Sequence, residues 1–78
     1  SLPRQVEGVL VGVTIREKED GSFKISMRTN NGVNASQICA RFGGGGHPAA
    51  AGCTIQGSLE EVRDQIVRAI EDVLGETV

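Results

Sequence analysis

Gly43, Gly44, Gly45 and Gly46 run directly into His47, the one histidine of the chain, and Pro48 follows. Glycine has no Cβ and takes positive φ freely. Successive N–H groups in such a run can converge into a concave nest that binds an anion. Bare glycines also let a ligand approach the main chain closely. Pro48 biases His47 toward extended backbone, so the imidazole is expected to project from the loop as a phosphate ligand or proton donor. Pro48 also suits the first position of a helical turn. Ala49, Ala50 and Ala51 are expected to continue that turn and Gly52 to end it. A helix start aimed at the loop would add N–H donors and a positive dipole end. Glycine runs are often flexible linkers, but this one is held between a helix end and a proline-started turn.

Arg28 is the second residue able to do such chemistry. It ends a strand-like segment, with Ser26 on the same polar face. A guanidinium fork grips phosphate bidentately; a solvent-facing strand arginine is the plainer alternative, and the residues alone leave both open. Arg41 lies near the loop and could assist it, while Arg63 and Arg68 fall on a polar helix surface. Two familiar phosphate loops do not fit. A Walker loop needs Lys and then Ser or Thr after its last glycine, where this chain has His47 and Pro48. A dinucleotide fingerprint needs a strand before the loop, and here a helix precedes it.

The elements that must position these residues follow from periodicity. VEGVLVGVTIRE (6–17) is rich in β-branched residues, with Val9, Val11, Val13 and Ile15 on one face and Gly8, Leu10 and Gly12 on the other. Asp20-Gly21 signals a hairpin turn. FKISMRT (23–29) alternates Phe23, Ile25 and Met27 against Lys24, Ser26 and Arg28. Asn34 is a good helix N-cap, and Gln37 completes a capping-box pattern. Val33 can staple onto Ile38. This helix is expected to run to about Phe42 and to stop at Gly43 in the left-handed conformation. GCTIQG (52–57) reads as a short strand. Ser58 and Glu61 form a second capping box, opening a helix whose apolar face is Leu59, Val62, Ile66, Ile70 and Val73 and whose end is Gly75. The expected fold is α+β: a small mixed β-sheet covered by helices, in the order β-β-α-loop-β-α.

Composition narrows the function. At 78 residues the chain is a single domain, one that buries little surface. Phe23 and Phe42 are its only aromatics, too few for a base-stacking platform. The net charge of -2 argues against a broad phosphate-tracking surface, so any nucleic-acid contact should be small and local. Cys39 and Cys53 form no CxxC pair, and with one histidine they cannot complete a four-ligand zinc site. Free buried thiols in a reducing compartment are expected. No run suits a signal peptide or membrane span, which makes the cytoplasm the default location. The chain opens on Ser1, not Met, and is expected to be a fragment of a longer protein.

The stretch SMRTNNGVNASQICARFGGGGHPAAAGCTI resembles the C-terminal substrate-binding domain of DHH-family phosphoesterases, the DHH-associated domain. The likeness runs from about Gln5 to Leu74. It is nearest to the oligoribonuclease/phosphoadenosine-phosphate phosphatase group, with single-strand exonucleases of the RecJ type more distant. The GGGGH run, paired with an upstream SxR, carries it. The resemblance implies a two-domain enzyme whose N-terminal DHH domain, acting in cis, binds two metal ions, usually manganese, that activate water. The C-terminal domain would hold substrate phosphate through Arg28, Gly43, Gly44, Gly45, Gly46 and His47, supported by Ser26. Its partners would be a short oligonucleotide or nucleotide phosphate, no membrane, and a second copy of the full-length protein as a homodimer. This chain lacks the Asp-His-His triplet, so it is expected to bind no metal and, alone, to hydrolyse nothing, with His47 at most assisting. A non-catalytic nucleic-acid-binding module, a structural fragment, a single-strand exonuclease domain and a cyclic-dinucleotide phosphodiesterase domain are the alternatives.

Overall fold

The computed structural model describes residues 10–30 and 32–76; residues 6–9 of the expected first strand lie outside them. The elements are β1 (Val11–Glu17), β2 (Phe23–Thr29), α1 (Ala35–Ala40), β3 (Gly45–His47), β4 (Ala50–Ile55) and α2 (Leu59–Glu76). The α+β class stands. The sheet has the order β1-β2-β4-β3, and each pair of neighbours is antiparallel, where a mixed sheet was expected. The reason is that α1 returns the chain past β2 to the far edge. A tight turn then brings β4 back into the gap, antiparallel to both neighbours.

The β1–β2 hairpin forms at its expected turn. Gly21 takes φ 87, and Asp20 Oδ1 accepts the Ser22 N–H at 3.0 Å and the Ser22 hydroxyl at 2.6 Å. These bonds hold the Asp20 carboxyl below its ordinary pKa. Asn34 Oδ1 caps α1 by accepting the Gln37 N–H at 2.9 Å. The capping box of α2 closes in both directions: Glu61 N–H donates to Ser58 Oγ at 3.1 Å, and Ser58 N–H to Glu61 Oε1 at 2.9 Å.

One face of the sheet is buried. Phe23, Ile25, Met27, Cys53 and Ile55 meet Ala35, Ile38 and Cys39 of α1 and Val62, Ile66, Ala69 and Val73 of α2 in a single core. Leu59, expected on that face, is 55% exposed; it opens the helix beyond the covered sheet, and Ala69 takes a core place instead. Gly75 does not stop α2, which continues to Glu76. Both thiols are buried. Burial raises the pKa of each, and for Cys53 burial and the neighbouring Cys39 push it up to about 12. None of the described helices is long and apolar enough to cross a membrane.

Candidate functional site

The glycine run is not one loop. It divides into a helix stop at Gly43, a close crossing of β4 at Gly44 and the start of an edge strand at Gly45. Gly43, at φ 82, ends α1 in a Schellman arrangement: its N–H donates to Ala40 O at 3.1 Å, and the Gly44 N–H reaches back to Cys39 O at 3.0 Å. Gly44 is where the chain passes against β4. A Cβ there would lie 2.2 Å from Gly52 O and 2.6 Å from Cys53 Cβ. Gly45, Gly46 and His47 then form β3, antiparallel to β4. Gly46 takes φ 147 with Ala51 Cα within 3.0 Å of an added Cβ. Gly45 is different. It has no positive φ, and an added Cβ would meet only Ser36 Oγ, at 3.8 Å. The fold therefore requires glycine at 43, 44 and 46 but not at 45.

No helix begins at Pro48, contrary to expectation. Pro48 and Ala49 make the β3–β4 turn, and Ala50 already belongs to β4. The reason is hydrogen bonding from elsewhere. Pro48 O accepts the Ala35 N–H at 2.7 Å, and Ala49 O accepts the Thr29 N–H at 3.0 Å. Those bonds tie the turn to β2 and to the start of α1. Proline's fixed φ serves the first turn position as well as a helical one.

This hairpin brings the scattered residues together. By register, Gly12, Arg28, Ala50 and His47 form one row across all four strands, on the face away from the helices. The next row is Thr14, Ser26, Gly52 and Gly45. Arg28 and His47 thus stand two strand spacings apart, about 10 Å between backbones, with only Ala50 between them. A depression of about 310 Å³ opens there, lined by Ser26, Arg28, Gly45, Gly46, Ala50 and Gly52 among others. His47 is not among its lining residues; the register places it beside Ala50, which is. Gly43 and Gly44 lie outside it. Ala50 and Gly52 are site residues that sequence reasoning missed. The signal was available: continuing the Cys53–Ile55 alternation backward places both on the outer face.

The imidazole is oriented by its own strand turn. His47 Nδ1 accepts the Ala49 N–H at 3.0 Å, so in the neutral ring Nε2 carries the proton and is the free donor. Arg28 is exposed and has no ion pair among the described residues. Its guanidinium is available to an anion. Arg41 is not: Nη1 and Nη2 bond Asp72 Oδ2 at 3.1 and 3.2 Å, which ties α1 to α2. A guanidinium, an imidazole N–H and the backbone of an edge strand, around a floor of small residues, can hold a phosphate-sized anion. No three His, Cys, Asp or Glu side chains converge on a common point among the described residues.

Residues 2–76 match the DHHA1 domain. The bifunctional oligoribonuclease and PAP phosphatase NrnA of Thermus thermophilus is 40% identical over 94% of this chain and 22% of its own length. The cyclic-di-AMP phosphodiesterase GdpP of Geobacillus thermodenitrificans is 34% identical over 86% of this chain and 10% of its own. A crystal structure of an exopolyphosphatase-related protein from Bacteroides fragilis superposes with a TM-score of 0.76 at 29% identity, covering 83% of this chain and 19% of that one. The chain spans less than a quarter of the length of each protein.

Proposed function

This chain belongs to the DHHA1 domain family, and we propose that it is the substrate-holding part of a phosphoesterase that hydrolyses short oligoribonucleotides or a nucleoside bisphosphate. The observation that carries the proposal is the single register row of Arg28, Ala50 and His47 across the depression. Arg28 takes two phosphate oxygens as a fork. His47 donates from Nε2, its ring held by the Ala49 N–H. Ser26, one row along, supplies a hydroxyl beside Gly52 and Gly45. Gly45 offers bare backbone at the depression, since a Cβ there would turn toward Ser36 of α1. The 40% identity with the Thermus thermophilus enzyme, named for oligoribonuclease and PAP phosphatase activities, supports this substrate class.

The hydrolytic water needs a group to activate it, and manganese ions in a DHH domain acting in cis would supply that Lewis acid. The described residues of this chain have no ligand set for such a centre. Their part is binding and orientation, and the chain alone holds substrate without hydrolysing it. The test is an NMR titration of the chain with 5′-AMP and with a short RNA, following the amides of Gly43 to Gly46, the His47 ring and Arg28. Shifts concentrated at Gly45, Gly46, His47 and Arg28 are expected. Manganese-dependent hydrolysis by the purified chain would overturn the division of labour, and silence at millimolar ligand would overturn the site.

A further inference from the structure

The outer face does not end at the depression. One register row beyond Ser26 and Gly52, Arg16 of β1 lies directly opposite Lys24 of β2, with Thr54 of β4 alongside. All three are exposed. Like charges directly opposite on a sheet face are destabilising. Neither Arg16 nor Lys24 has an ion pair or side-chain hydrogen bond among the described residues, and the exposed carboxylates of Glu17 and Glu19 in the same hairpin pair with neither. Asp20, in the adjoining turn, is occupied by Ser22.

The chain's net charge of -2 conceals how its charges are divided. Glu60, Glu61, Asp64, Glu71 and Asp72 lie on α2, outnumbering its Arg63 and Arg68, in the helical layer behind the sheet. The outward strand positions hold Arg16, Lys24 and Arg28 with no carboxylate in any of the three rows. Between the Arg16–Lys24 pair and the depression lie Thr14 and Ser26, neutral hydroxyls and no aromatic ring. Such a lane suits a phosphodiester backbone; it offers nothing for bases to stack on.

We propose that Arg16 and Lys24 form a second phosphate subsite, which takes an internal phosphodiester of an oligonucleotide whose reacting phosphate sits between Arg28 and His47. The proposal rests on the phosphate reading of Arg28 and His47. Arg28 lies four strand steps beyond Lys24 along β2, a span of about 13 Å at the rise of a strand. The two phosphates of a nucleoside bisphosphate share one ribose and cannot reach both places; an oligonucleotide can. The pair therefore selects for chain length and leaves mononucleotides unaffected.

The experiment compares 5′-AMP with a 5′-phosphorylated oligoriboadenylate of about five nucleotides, long enough for both subsites, binding to the chain across a series of salt concentrations. The expected result is tighter binding and a steeper salt dependence for the oligomer than for AMP. Removing one neutralised phosphate lowers a single-strand log–log salt slope by about 0.7. The double variant Arg16→Gln/Lys24→Gln is expected to lose that much slope with the oligomer and to keep its AMP affinity. Lys24→Glu gives Arg16 a cross-strand partner, so it should fold at least as well and bind the oligomer more weakly. If both variants hold the oligomer as the parent does, while AMP and oligomer still perturb His47 and Arg28, the second subsite is wrong and the depression stands. If neither ligand perturbs His47 or Arg28 in the parent, both proposals fall.

Discussion

Gly44→Ala is the substitution whose effect follows most directly from the geometry. The new methyl carbon would start 2.2 Å from Gly52 O, 2.6 Å from Cys53 Cβ and 2.8 Å from Cys53 Cα. Two of these three atoms are β4 backbone, and Gly52 and Cys53 are themselves paired to β2. Relief requires moving either a central strand or the α1–β3 link, whose Gly44 N–H bonds Cys39 O. Overpacking costs about 1–3 kcal/mol in general, and a clash with backbone belongs at about 3. A domain of this size has a total stability on the order of 4–12 kcal/mol. Each kcal/mol lowers its melting temperature by about 4–8 °C, so a fall of about 12–24 °C is expected. Gly45→Ala is the internal control. Its Cβ would have 3.8 Å to Ser36 Oγ, and restricting the unfolded chain should stabilise it by about 0.4–1 kcal/mol. Thermal unfolding by circular dichroism reads both. Equal melting temperatures for the two variants, or an unshifted Gly44→Ala, would refute the assignment of separate jobs to adjacent glycines.

Four other expectations follow from the site and the core. His47→Ala and Arg28→Ala should leave melting unchanged but reduce turnover roughly a hundredfold or more in a protein that joins this domain to its metal-binding partner domain; normal turnover in either variant removes that residue from the site. Gly45→Val should fold and yet bind AMP more weakly, and an unchanged dissociation constant would mean that β3 backbone is not approached. Asp20 has a folded pKa depressed by the Ser22 bonds, so its contribution to stability is complete above its unfolded pKa and is lost as pH falls through the folded one. Urea unfolding of Asp20→Asn and parent should accordingly converge at acid pH and separate at neutral pH; parallel curves would contradict this. Finally, the elevated thiol pKa values of Cys39 and Cys53 predict that a thiol-specific disulfide reagent at pH 8 labels the protein only as fast as it unfolds, and rapid labelling of native protein would exclude buried thiols.

Local rules carried most of the fold. The hairpin at Asp20-Gly21, the caps at Asn34 and Ser58 and the stop at Gly43 depend on residues within a few positions of one another, so they could be read directly. The alternation in β2 also told which face Arg28 and Ser26 would share. What could not be read was set at long range. Pro48 and the following alanines satisfy the local preferences of a helical turn as well as those of a strand. The decision falls to the Thr29 and Ala35 N–H groups that bond Ala49 and Pro48. The same distance effect hid the site's composition. Only the pairing of β4 between β2 and β3 reveals that Ala50 separates Arg28 from His47, or that Gly44 serves packing and Gly45 does not. Net charge is blind to such placement for a related reason. A sum over the chain cannot tell that the carboxylates of α2 and the cations of the outer sheet face lie in different layers.

The brevity of β3 has a consequence for the protein's behaviour in solution. A sheet edge with unpaired backbone groups is a template on which another chain can add a strand. Here that edge is three residues long. It is closed at one end by the Gly43 reversal and at the other by Pro48, which has no N–H to offer. An incoming strand would find too few bonds to hold it. The glycines and proline of the proposed ligand site also keep the sheet from growing at this edge, so the same few residues would serve recognition and resistance to aggregation.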